Sequence, residues 1–389
     1  MTFSTPSVQQ QNMPVYMTRF LSMTFLALTT GCGANKQPTK RFVPTEEPQV
    51  ETPTVVEEKP LPLWSTRQGQ WAGALIPGPP TTGWIADMGG PITHPVSTDG
   101  EAVYVVASGS VHRVEMNGTV TWSVELQADG PAVPWNEELY IPNLSGVMQV
   151  LDPKTGELKT SHGGTERIRT QPLPLGDQLV WMNRDGSMSG SNFAGEPLLY
   201  SPITDGASNG DILVVSNVEG TVLGTSLAGT KWVSTIPGPG LSHPVMNEEN
   251  VYVSFGAKDG EPGGVACISL ATGEINWTIS LKFEPGAAPS LGSVLVIPSK
   301  EGEIWGIDPN HGGVRWRAPG TSSFTVKPAI VGGSVYVGDA DGNIARFDMD
   351  DGGRVWMADI GEALTGDPVI VDGWIVVGTV DGQLVGLAP

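Results

Sequence analysis

Cysteine is nearly absent: Cys32 and Cys267 are the two in 389 residues. That number builds no disulfide framework and offers no metal-type spacing. Basic residues are also scarce, 21 Lys and Arg against 41 Asp and Glu, for a formal net charge of −20. A surface this acidic repels nucleic acid and anionic membranes, so neither is an expected partner. The five histidines, His94, His112, His162, His243 and His311, include no pair at a metal-binding spacing. No Gly-x-Ser-x-Gly elbow and no EF-hand loop occurs either. No catalytic residue, cofactor or metal site is therefore expected.

Glycine (51) and proline (33), by contrast, together exceed a fifth of the chain, with no collagen-like period. Such a composition means either disorder or a turn-dense fold. Twelve tryptophans and a 39% apolar content are enough to build a core, which favours turns for most of the chain.

The N-terminal part reads as address and tether. Thr18-Arg19 precedes the apolar run 20–28, too short to span a bilayer, and Thr29-Thr30-Gly31-Cys32 follows. The residues before Met17, or before Met13, look unlike a signal, so the signal is expected to begin at one of these two methionines. It resembles a bacterial lipoprotein signal, with Thr29 where that class usually has leucine; the resemblance implies lipidation at Cys32. Gly33 is similar to the outer-membrane-sorted class. The alternative is a plain secretory signal. Residues 1–32 are thus read as signal and 33–62, rich in Pro, Glu and Thr, as a spacer that buries too little to fold. Residues 63–389 are read as one folded domain.

Within that domain a unit of about forty residues repeats. Its cleanest copy runs Lys327-Pro328-Ala329-Ile330, then Val335-Tyr336-Val337, Asp341-Gly342, Ile344 to Asp348, and Gly352-Gly353-Arg354-Val355-Trp356. That pattern is a short strand after a proline, a Val-Tyr-Val strand, an Asp-Gly turn, an alternating strand, and a strand carrying tryptophan. The Val-Tyr-Val element recurs around Tyr104, Tyr140, Val180, Leu213, Tyr252, Leu295, Tyr336 and Val376. The Trp strand recurs at Trp122, Trp232, Trp277, Trp316 and Trp356, with Thr160 and Leu199 in two degenerate copies. The fifth copy carries an insertion, 256–263, expected to protrude.

The eighth copy ends at Pro389 without a Trp strand, while Gly83-Trp84-Ile85-Ala86-Asp87 stands before the first copy. A ring closed by its own N-terminal strand explains this split; an open solenoid does not. The expected fold is all-β: an eight-bladed β-propeller of four-stranded antiparallel blades, closed around Trp84. Cys267, in an apolar run, reads as a small buried hydrophobe.

Leu151-Asp152…Thr155-Gly156, Thr272-Gly273…Trp277 and Ile307-Asp308…Trp316 resemble the PQQ-like β-propeller repeat. Signal, spacer and a single propeller are together similar to the propeller lipoproteins of the outer-membrane β-barrel assembly machinery. That resemblance implies a non-enzymatic binding scaffold in the periplasm or at the cell surface, a monomeric ring with protein partners. Arg169 lies on a basic loop before the third blade, where that family contacts a partner. Quinone-dependent dehydrogenases share the repeat but carry an adjacent Cys-Cys pair and long insertions, which this chain lacks. Open alternatives are a small-molecule-binding or enzymatic propeller and a surface adhesion or signalling module.

One constellation is independent of the resemblance. His94 and His243 each precede a repeat-opening proline, and Gln171, Lys327 and Asp367 hold the same place in other copies. The innermost strand of a propeller blade begins near the axis, so these residues are expected to ring one channel mouth as a ligand or partner site. The alternative is a loop residue with a backbone role.

Overall fold

The computed structural model describes residues 76–389 apart from 165, 192, 193 and 198–201. The expected signal with Cys32, the spacer, the domain start at 63, and Leu199 lie outside the described residues. Among these residues the chain forms eight four-stranded antiparallel sheets and no helix. Seven blades follow one another along the sequence. The eighth joins Val369–Val371, Trp374–Gly378 and Gln383–Ala388 to the N-terminal strand Thr81–Asp87, with Trp84 opposite Gly386 and Asp87 opposite Gln383. The innermost strand of this blade touches Ser97–Thr98 of blade 1, and the ring is closed.

Both faces of every blade are covered by its neighbours, which is why the second strands read as unbroken apolar runs. In blade 1, Val103 and Val105 enter the cluster shared with blade 8, while Tyr104 and Val106 enter the one shared with blade 2. Eight apolar clusters result, one at each seam. Cys267 sits in the seam between blades 5 and 6, and burial pushes its thiol up to about 11.

The repeat signature has a mechanical meaning. Trp316 Nε1 in blade 6 donates to Met349 O of blade 7 at 2.8 Å, and Trp122, Trp232, Trp277 and Trp84 reach the next blade in the same way. The Thr-Gly glycine is where the indole lands. At Gly352 (φ 73°) an added Cβ would lie 2.6 Å from Trp316 Cε3. The Asp of the Leu-Asp and Ile-Asp ends accepts turn amides, as Asp152 Oδ1 does from Lys154 N (2.8 Å) and Thr155 N (3.0 Å). Clasping buries an aromatic surface and satisfies its N–H at once, an arrangement whose loss costs about 3–5 kcal/mol.

Five junctions carry this clasp. The junctions on either side of blade 3 do not, because Thr160 holds the place in blade 2 and no tryptophan lies between Trp181 and Trp232. Blade 7 meets a different partner. Blade 8 has no turn between its third and fourth strands, and the chain upstream of Thr81 fills the gap. Trp356 Nε1 donates to Ile76 O (3.3 Å), Ile76 N donates to the Tyr336 hydroxyl (3.1 Å), and Arg346 Nη1 donates to Ile76 O and Pro77 O. Ile76 itself is fully buried in the seam cluster.

Pairing shifts two elements of the sequence reading by one residue. Val214 and Val296, rather than Leu213 and Leu295, are the counterparts of Tyr336: each faces the third-strand residue that pairs with the Trp. The insertion 256–263 forms a small exposed hairpin with Lys258 opposite Glu261.

Candidate functional site

Among the described residues, seven of the eight loops that lead into a blade are pinned at the end of that blade's second strand by an isolated bridge, as in Ile92 with Ala107, Gly240 with Phe255, and Phe324 with Asp339. Two or three residues later comes the residue before the proline, which proline biases toward extended backbone. Bridge and proline together fix its position at the start of the innermost strand.

A cavity of about 640 Å³ opens at this end and is lined by His94, Arg169, Gln171 and His243. An adjoining cavity of about 430 Å³ is lined by Lys327 and Asp367, and shares Arg169, Asp205 and His243 with the first. All six residues singled out in the sequence line these two adjoining cavities.

The structure adds one that the sequence hid. Asp205-Gly206-Ala207 pairs through Ala207 with Val214, as Lys327-Pro328-Ala329 pairs through Ala329 with Tyr336. Asp205 is thus the blade 4 member of the ring, with Gly206 where other blades have proline. Only its pairing register reveals it. Gly130 and Ala288 complete the eight positions and line the same cavities.

Neighbouring members of the ring are coupled. The Asp205 carboxylate pairs with His243 Nδ1 across blades 4 and 5. Asp367 Oδ1 accepts from Lys327 N at 2.8 Å across blades 7 and 8. Arg167 forms a two-pronged pair with Asp129, Nη2 to Oδ1 at 2.6 Å. Arg169 Nε donates to Ile203 O at 3.1 Å, tying the loop before blade 3 to blade 4. Burial holds the His94 imidazole below its usual pKa; Asp129 opposes this and Arg167 adds to it. His94 is therefore a neutral ring at pH 7, one donor and one acceptor. Among the described residues neither Arg169 nor the exposed Arg184 forms an ion pair. The mouth thus holds unneutralised guanidinium groups on a chain of net charge −20.

Residues 261–389 match the sequence profile of the family described as outer membrane protein assembly factor BamB. No curated protein matches the sequence. Among solved structures, BamB from Moraxella catarrhalis is similar with a TM-score of 0.64 and 14% identity, over 80% of this chain and 100% of that one. The computationally designed protein Ika8 is similar with a TM-score of 0.68 and 16% identity, over 78% of this chain and 99% of that one. Quinohemoprotein alcohol dehydrogenase from Comamonas testosteroni gives 0.65 and 10%, over 83% and 79%. Identities this low speak for the fold alone.

Among the described residues no three His, Cys, Asp or Glu side chains gather around one point, and Cys267 stands buried without a second cysteine beside it. The repeats, the eight blades and their closure make the chain an eight-bladed β-propeller that is similar, over residues 261–389, to the BamB family profile.

Proposed function

We propose that this chain is a non-enzymatic binding scaffold of outer-membrane protein assembly, a single ring tethered by lipid at Cys32 to the periplasmic side of the outer membrane. The observation that carries this reading is the ring of polar residues at one channel mouth, His94, Arg169, Gln171, Asp205, His243, Lys327 and Asp367. The frame beneath it is rigid, and residues held by such a frame are where binding specificity is usually placed. A partner loop bearing a carboxylate would meet Arg169 and Arg184, which have none of their own. The match of residues 261–389 to the BamB profile supports the barrel-assembly machinery as that partner.

Affinity capture from detergent-solubilised membranes tests the proposal. Full-length chain is expected to retain a subunit of the barrel-assembly machinery, and Arg169→Glu to lose it with an unchanged melting curve. Capture of no such subunit by an intact, folded chain overturns the reading.

A further inference from the structure

The loop before blade 3 gathers arginines through its local pairing. Ile168 bridges Asn183 and is buried, so in Arg167-Ile168-Arg169 both arginines fall on the opposite, exposed side. Arg184 N donates to Arg167 O at 2.8 Å, which sets a third exposed arginine beside them. All three line the cavity of about 640 Å³, on a chain that carries 21 basic residues against 41 acidic ones.

Their charges are not balanced alike. Arg167 is neutralised by Asp129, and the other carboxylate lining this cavity, Asp205, is paired with His243. Arg169 donates through Nε to Ile203 O at 3.1 Å, which holds its guanidinium in place and leaves both Nη groups without an acceptor among the described residues. Arg184 makes no side-chain hydrogen bond among them. Gly130 holds the blade 2 place in the ring, where an added Cβ would lie 2.5 Å from Pro142 Cγ, so no side chain fills the cavity from that wall.

These features select an occupant. A phosphate monoester carries close to two negative charges and three acceptor oxygens, enough for two guanidinium forks, whereas a single carboxylate carries one charge. A cavity of about 640 Å³ is of small-molecule size and far larger than a bare phosphate. The phosphate is therefore carried on an uncharged body, which meets Pro95, Pro131 and Val218 together with the His94 ring. A membrane surface is the wrong source. The net charge of −20 repels a sheet of anionic headgroups. A single small anion in the cavity answers mainly to charges within about 8 Å, the screening length at physiological salt.

We propose that this cavity binds a small soluble phosphate monoester, gripped by Arg169 and Arg184, and, resting on the partner reading above, that the bound ester competes with the partner's carboxylate for the same two side chains. One site thereby couples partner docking to the supply of a phosphorylated small molecule.

Titration calorimetry on the full chain, with glucose 6-phosphate, inorganic phosphate and glucose as probes, tests the site. Glucose 6-phosphate is expected to bind about tenfold more tightly than inorganic phosphate, and glucose not at all. Arg169→Gln and Arg184→Gln should each weaken the ester about tenfold or more with unchanged melting curves. Binding of neither phosphate probe, or equal affinity in Arg184→Gln, overturns the site. Sedimentation of the chain with vesicles of anionic phospholipid, lost in Arg184→Gln, overturns the soluble source in favour of a headgroup. Saturating glucose 6-phosphate should lower recovery of the captured subunit, and unchanged recovery overturns the competition. No ester binding while Arg169→Glu still loses capture refutes this site alone. Ester binding by a chain that captures no subunit upholds the site and refutes the partner alone.

Discussion

Trp356 and Ile76 lie 280 positions apart in the sequence and meet in a buried hydrogen bond, the indole Nε1 donating to the Ile76 carbonyl at 3.3 Å. The N-terminal segment therefore closes the ring twice. Its strand completes the sheet of blade 8, and the residue ahead of that strand stands in for the turn this blade lacks.

Ile76→Ala should cost about 2–4 kcal/mol in urea-induced unfolding, since a fully buried aliphatic side chain and its seam are lost. Deleting residues 82–90 should abolish the cooperative transition, whereas deleting 33–60 should leave it in place. An unchanged transition after the first deletion means the ring is not closed by this strand.

Trp316→Ala should destabilise by about 3–5 kcal/mol, and Gly352→Ala in the same direction, because a Cβ there strikes the same indole. The double variant should lose less than the two singles together, since one contact is broken twice. Strict additivity in the denaturation midpoints would argue against the clasp.

Blade 3 should open first. No tryptophan clasps it on either side, and the seam it shares with blade 2 has the smallest buried cluster among the described residues. In native-state hydrogen exchange, amides of Gln178–Met182 should exchange at lower free energy than those of Trp374–Gly378. The reverse order would show that the clasps do not set local stability.

Stability should fall on mild acidification. Burial lowers the pKa of His94 and of His112, whose Nδ1 lies 2.8 Å from Ser123 Oγ. Below their usual value of 6.5 the unfolded chain binds protons that the folded one refuses. Their contribution is fully present above 6.5 and is lost as pH falls from there toward the folded values. Urea midpoints measured from pH 7.5 to 5.5 should decline, and His112→Gln with His94→Gln should flatten the slope.

His94→Ala together with His243→Ala should weaken membrane-partner capture while the melting temperature moves little. Unchanged capture and stability would assign these residues to the loops alone.

The fold was legible because each blade must bury both faces and turn three times, and most clasp a neighbour, and every one of those demands leaves residues in register. Trp84 was visible as the missing strand for the same reason. Ile76 was not, since its partners lie in blade 7 and nothing in its own segment repeats. Proline marked seven of the eight positions, five of them polar, but Gly206 in place of proline concealed Asp205. The seemingly loose glycines of the Thr-Gly pairs were legible as turns; that a neighbour's indole rests on them required the seams to be seen.

Ile76 has one more consequence, in the language of mechanics. A pull on Ile76 itself is borne by its seam and by the strand behind it, the two places where closure is made. Load and closure share one joint, so tension from a tether would be felt first by the seam between blades 7 and 8, and only then by the rest of the wheel.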